Sequence, residues 1–537
     1  MFVVAAVANA LACTNLIVGK NASADGSTIV SYSADSYGLF GELYHYPAGM
    51  HKKGTLIDIH EWDTGKYLGQ IAQARQTYNV IGNMNEFQLT IGETTFGGRP
   101  ELVDTTGIID YGSLIYLGLQ RSRTAREAIK VMTELVQEYG YYSSGESFTI
   151  ADPNEIWIME MIGKGPGVRG AVWVAVRVPD DCISAHANQS RIHQFNMNDK
   201  ENCMYSPDVI SFAREKGYFD GVNKDFSFAD AYAPLDFGAR RYCEARVWSY
   251  FNMFTDRGNE FLPYILGETD TPMPLFVKPN RKVSVQDVKN AMRDHYEGTP
   301  LDISKDFGAG PYHTPYRLSP LSFKVGDREY FNERPISTQQ SGFVFVAQMR
   351  SELPDPIGGV LWFGTDDANM TVFTPVYCCT DKVPVCYTRV DGADYITFSW
   401  NSAFWIFNWV ANMVYPRYDL MIDDVRATQT ELETTFNEAQ EGVEAAAAKL
   451  LEKDPAKAKA FLTNYTNMTA QSTFDTWKRL GEFLVVKYND GVVKRMKNGQ
   501  FERNSIGQPA GVIRPGYPKE FLEEYVKQTG DRYKMPE

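Results

Sequence analysis

Short apolar runs, each closed by a turn, recur from residue 13 to about 190, and this rhythm limits the fold more than any other feature. Residues 14–18 read as a strand, Asp25-Gly26-Ser27 as a turn and residues 28–33 as the returning strand. Residues 79–81 and 87–91 predict a second hairpin around Asn83-Met84-Asn85-Glu86. More strands are expected at 147–151, 156–161, 171–178 and 183–187, separated by Asp152-Pro153-Asn154, a glycine-rich stretch and Pro179-Asp180-Asp181. A helix interrupts them. Thr124 and Glu127 form a capping box, Ile129, Met132, Leu135 and Val136 an apolar face, and Gly140 the stop. Ser206-Pro207 starts a second helix that Gly217 ends.

Strands return at 342–349, 358–363, 370–376 and 395–400, after which the pattern changes. The run Thr428-Gln429-Thr430-Glu431 predicts the cap of a long helix reaching Leu451, Asp454-Pro455 breaks it, and further helices extend to about 488. This order predicts an α+β fold, a core of stacked sheets and helices with a helical C-terminal extension. The boundaries expected are a removed segment 1–12, a catalytic body 13–400 and an extension 401–537. With 31 Tyr, 31 Phe and 9 Trp, the body reads as β-rich rather than all-helical.

A net charge of -14 argues against nucleic acid or an anionic membrane surface as partner. Beyond the first residues no stretch approaches the ~18 consecutive apolar residues of a membrane span. Seven cysteines in 537 residues do not make a disulfide scaffold, although Cys386 is close enough in sequence to bridge Cys378 or Cys379. Cys182, Cys203 and Cys243 read as buried thiols. There is no CxxC or HExxH, and only His186 and His193 lie loosely near one another, so neither a catalytic metal nor a cofactor is expected.

The chemistry points to Cys13. It follows Ala10-Leu11-Ala12, an uncharged apolar run closing in the Ala-x-Ala pattern of a secretory cleavage site. Cleavage there leaves a cysteine with a free α-amine, a nucleophile and a proton acceptor on one residue. Such a leader implies a periplasmic or secreted protein. The rival reading is a lipoprotein whose Cys13 carries lipid and whose body binds peptide or glycan at the surface. Acylation blocks both the amine and the thiol, so the two readings exclude each other. A papain-type arrangement is rejected, because Cys13-Thr14-Asn15-Leu16 is strand-like and lacks the Cys-x-x-Cys-aromatic context.

Several ordered runs carry a resemblance. They are Cys13-Thr14-Asn15-Leu16-Ile17-Val18-Gly19-Lys20 with Asp25-Gly26-Ser27-Thr28, and Met84-Asn85-Glu86 with Gly92-Glu93-Thr94-Thr95-Phe96. Others are Ile150-Ala151-Asp152-Pro153-Asn154-Glu155-Ile156-Trp157, the run from Trp173 to Asp181, and Ala187-Asn188-Gln189-Ser190-Arg191-Ile192. In these runs the chain resembles the C69 dipeptidases of the N-terminal-nucleophile hydrolase superfamily, relatives of choloylglycine hydrolases and penicillin V acylases. The resemblance extends from Cys13 to about residue 400.

It implies an αββα sandwich with Cys13 as nucleophile at a strand start, cleaving dipeptides through a thioester. It also implies Asp35 as orienter of the amine or thiol, Asn188 as oxyanion donor, and Thr95 at a second oxyanion position where the bile-acid relatives carry Asn. An arginine among Arg240, Arg241 and Arg246 would support the site, with Arg241 preferred. Glu93 and Asn85 are candidates for substrate binding. The chain departs from the family at Tyr32-Ser33-Ala34-Asp35, where Arg-Asn commonly precedes the aspartate, so the arginine near the thiolate is absent at Tyr32. A small peptide substrate is expected, with an amidase for N-acyl amino acids or bile-salt conjugates as the alternative and a homo-oligomer left open.

Overall fold

The computed structural model describes residues 13–537. The proposed leader, residues 1–12, lies outside the described residues. Two antiparallel sheets form the centre. Their strands are β1 (Asn15–Val18), β2 (Thr28–Asp35), β3 (Thr90–Gly97), β4 (Gly145–Ala151), β5 (Ile156–Gly163), β6 (Ala171–Arg177) and β7 (Ile183–His186), then β8 (Ser341–Met349), β9 (Val360–Thr365) and β10 (Thr374–Tyr377). The first sheet runs β7-β1-β2-β8-β9-β10, with Leu16 opposite Ala185 and Tyr32 opposite Phe345. The second runs β6-β5-β4-β3 and extends at both ends into short strands, one of them Met84–Asn85.

The strands of the first sheet are buried along their whole length, which explains why they read as near-continuous apolar runs. Helices α1 (Tyr111–Arg121) and α2 (Ala125–Tyr139) cover the second sheet. The predicted cap of α2 forms, with Thr124 accepting from the Glu127 N–H, and Gly140 ends the helix at φ 81°. Glu127 reaches back to the N–H of Arg123 rather than to that of Thr124. On the other side lie α3 (Ala245–Phe254), α4 (Val285–Ala291) and α5 (Ala403–Val414), then α6 (Tyr418–Leu451) and α7 (Pro455–Tyr488). The chain is thus α+β, layered helix, sheet, sheet, helix, with its C-terminal helices against β9 and β10.

A buried histidine stitches the sheets together. His186 on β7 pairs through Nδ1 with the Thr94 hydroxyl at 2.7 Å and through Nε2 with the Thr149 hydroxyl at 2.6 Å. Burial pulls its pKa down to about 3, so the ring stays neutral and this link carries no charge.

Three expectations are corrected. Residues 428–431 do not start a helix: α6 begins ten residues earlier, and Gln429 is buried in its middle, donating to the carbonyls of Asn369 and Thr371. Packing against the sheet overrides a cap signal that the sequence reads locally. Residues 395–400 form no strand, because Ile396, Phe398 and Trp400 lie exposed in irregular chain. No bridge joins Cys386 to its neighbours. All seven cysteines are free, and the Cys378 thiol donates instead to the Asp355 carbonyl at 3.0 Å.

Ion pairs fasten α6 to the body. Arg293, just after α4, reaches Glu433 at 2.6 Å with both side chains nearly inaccessible, and Arg350 pairs with Glu444 at 2.6 Å. Arg293→Met leaves the Glu433 carboxylate buried without its guanidinium and is expected to cost about 3–5 kcal/mol in chemical denaturation. The Glu433 carboxyl is held down to about 2 by Arg293 and Lys289 against the cost of burial. A depressed carboxyl stabilises the fold fully above its ordinary 4.5, and that stability drains away as pH falls toward 2. The difference between wild type and Arg293→Met should therefore shrink on acidification. A constant difference would deny the pair this role.

Candidate active site

Cys13 stands immediately before β1, where the Ser33 N–H donates to the Thr14 carbonyl and fixes the chain against β2. Its thiol donates to Glu93 Oε1 at 3.4 Å and lies 3.7 Å from the Tyr32 hydroxyl, which itself donates to the same Glu93 oxygen at 2.6 Å. Close approach of β3 makes this contact. At Gly92 a Cβ would stand 2.4 Å from Asn15 Oδ1 and 3.5 Å from the Tyr32 Cβ. Only hydrogen fits there, and Asn15 Nδ2 donates to the Glu93 carbonyl at 2.7 Å across the gap.

Burial, then the charges of Glu93 and Asp35, push the Cys13 thiol well above its ordinary value, with the Asp35 N–H and the Tyr32 hydroxyl pulling weakly the other way. A thiol so placed is protonated at neutral pH and can attack only if a nearby group takes its proton as the bond forms.

Asp35 closes β2. Arg334 reaches its Oδ2 at 2.7 Å, Ser33 donates to the same oxygen at 3.1 Å and Ser341 donates to Oδ1 at 2.6 Å. Burial drives this carboxyl up, and Arg334 is the leading influence pulling it down.

Arg246 joins the pieces. From buried α3, Nη1 donates to the Cys13 carbonyl at 2.6 Å and to the Thr14 hydroxyl at 2.8 Å, while Nη2 donates to the Ala187 carbonyl at 3.0 Å and to Asn188 Oδ1 at 2.9 Å. Nε holds the Tyr242 carbonyl at 2.7 Å. Burial lowers the guanidinium to about 10, which leaves it charged at neutral pH. Asn188 adopts φ 65°, a left-handed conformation that asparagine tolerates better than most residues, and its Nδ2 donates to the Thr95 carbonyl at 2.8 Å. Cys13, Asn188 and Thr95 are thereby tied into one unit by a residue from a distant helix.

The other residues singled out in the sequence divide. Thr95 belongs to this unit through its carbonyl, and its hydroxyl donates to Glu146 Oε1 at 2.7 Å. Glu93 touches the sulfur. Arg241 does not enter the unit, because its guanidinium pairs with Glu333 and lies over the Phe331 ring. Asn85 is a backbone knot, donating to the carbonyls of Leu119 and Ser122 and accepting from the N–H groups of Phe87 and Leu89. Sequence reasoning missed Arg334 and Glu146, which no local spacing announces. It noticed Tyr32 only as the place of an absent arginine, and that side chain in fact touches both the thiol and its carboxylate neighbour.

The family model described as Peptidase family C69 matches residues 12–45 and 40–431. Over 395 residues the chain is 30% identical to a probable dipeptidase of Salmonella dublin, covering 68% of this chain and 81% of that one. It is 26% identical over 429 residues to a probable dipeptidase of Latilactobacillus sakei, with 76% and 82% covered. Dipeptidase A of Lactobacillus helveticus is 25% identical over 416 residues, with 73% and 80% covered.

Proposed function

The chain belongs to peptidase family C69, and from that premise we propose that it is a dipeptidase whose nucleophile is the Cys13 sulfur. In this reading the leader is cut after Ala12 during export, and the new α-amine takes the thiol proton as sulfur attacks the scissile carbonyl. The amine then returns the proton to the departing nitrogen, leaving a thioester. Water hydrolyses the thioester by the same relay in reverse. Asn188 supplies an amide donor to the tetrahedral oxyanion. Asp35, neutralised by Arg334, orients the terminus. The fold is then of the N-terminal-nucleophile hydrolase type, and the working protein is periplasmic or secreted.

One observation carries the reading: a single buried guanidinium holds both the Cys13 carbonyl and Asn188 Oδ1, presenting nucleophile and amide donor as a fixed pair. Such a fork needs Arg246 to be charged and desolvated, which makes an accidental arrangement costly. Asn188→Ala is expected to lower kcat roughly 10²–10³-fold with little change in KM. An effect confined to KM would remove Asn188 from the oxyanion role.

A further inference from the structure

Behind the Cys13 sulfur lies a group of carboxyls that the hydrolytic relay does not use. Glu93 and Glu146 are both fully buried, and Asp63 stands near them with the Tyr111 hydroxyl donating to it at 3.0 Å. Oε2 of Glu93 and Oε2 of Glu146 accept from no N–H or hydroxyl among the described residues. The leading influences on the two glutamates are burial, each other, Asp63, hydroxyls and the thiol, with no ammonium or guanidinium among them. Some buried carboxyls of this chain are paired with arginine, as Asp35 is with Arg334, Glu244 with Arg191 and Glu433 with Arg293. The cluster beside the nucleophile is built differently.

We propose that Glu93 and Glu146 form the pocket for the α-ammonium of the residue that becomes the acyl half of the substrate. The inference rests on the dipeptidase reading and adds what that reading lacks, a reason for choosing substrates with a free amino terminus. Distance supports it. In a peptide the α-nitrogen lies about 2.5 Å from the carbonyl carbon and pairs with a carboxylate at about 2.8 Å. A receiving oxygen must therefore lie within roughly 7 Å of the attacking sulfur, and Glu93 Oε1 lies 3.4 Å from it. Tyr32 fixes one glutamate and Thr95 the other, so the anionic site is held in place before substrate arrives. Burial and Glu93 push Glu146 well up and burial pushes Glu93 up, so the pair holds a proton that an arriving ammonium can displace.

The test compares alanyl-phenylalanine with propionyl-phenylalanine, which lacks only the ammonium, using the processed enzyme. Wild type is expected to prefer the first by roughly a hundredfold or more in kcat/KM. Glu146→Gln, which does not touch the sulfur, should shrink that ratio at least about tenfold through loss on the alanyl substrate alone, with Cys13 still alkylated by iodoacetamide, and Glu93→Gln should shrink it as well. Equal cleavage of both compounds by wild type, or an unchanged ratio in folded variants, overturns the proposal. So does an equal fall on both compounds, which would assign the cluster to the amine of Cys13. If neither compound is cleaved while Cys13 still alkylates, the dipeptidase reading itself fails and takes the proposal with it. Should neither variant fold, the wild-type ratio decides alone.

Discussion

Cys13→Ala is expected to lose dipeptide hydrolysis by at least about 10⁴-fold while its thermal midpoint stays within a few degrees of wild type. The substitution removes a single sulfur, whose two partners, Glu93 Oε1 and the Tyr32 hydroxyl, keep their hydrogen bond to each other. Stability therefore changes little, and activity loses the atom to which the proposed mechanism assigns the thioester. A companion protein that retains residues ahead of Cys13 should fall to the same floor with its thiol intact. Its nitrogen is then an amide and accepts no proton. With burial and the neighbouring carboxylates pushing the thiol up, attack depends on a base at hand. Hydrolysis assays on both proteins, with the processed amino terminus verified by mass, provide the check. Wild-type turnover by either one would overturn the mechanism.

Arg246→Met should damage stability and catalysis together. Its guanidinium serves five acceptors: the carbonyls of Tyr242, Cys13 and Ala187, the Thr14 hydroxyl and Asn188 Oδ1. Each bond to a charged donor contributes about 1.5–3 kcal/mol, but the cost of burying the charge offsets much of the sum. A net loss of about 3–5 kcal/mol in denaturant unfolding is expected. Activity should fall further than stability accounts for, because Cys13 and Asn188 lose their common anchor. Arg246→Lys separates the two effects. It restores the charge but has no planar fork, so it should recover part of the stability and little of the turnover. Full activity in the lysine variant would show that charge alone suffices.

Cys13, Asp35 and Asn188 were named through the resemblance, and the structure places Cys13 just ahead of β1, Asp35 at the end of β2 and Asn188 just past β7. The arginine was harder to place. Arg241 and Arg246 are five residues apart, and residues Ala239–Glu244 form a π-helical turn ahead of α3. That wider turn shifts the phase of the helix between them, and the resemblance named the region without telling which arginine faces the strands. Arg334 lies 299 residues from Asp35, and nothing in either local sequence links them. The strands showed through their turn residues, whereas the start of α6 did not, since its first turns are held by tertiary packing around Tyr415, Tyr418 and Asn369. Glu93 stood out by its motif and Glu146 did not, being an ordinary strand residue until the sheet brings it beside Thr95.

The hydrogen-only gap at Gly92 has an evolutionary corollary. With a Cβ excluded by Asn15 Oδ1, any substitution at this position must displace the Asn15 amide and its bond to the Glu93 carbonyl, right beside Cys13. Descendants of this protein that acquire new tastes in substrate should then vary in exposed segments, while residue 92 stays monotonous.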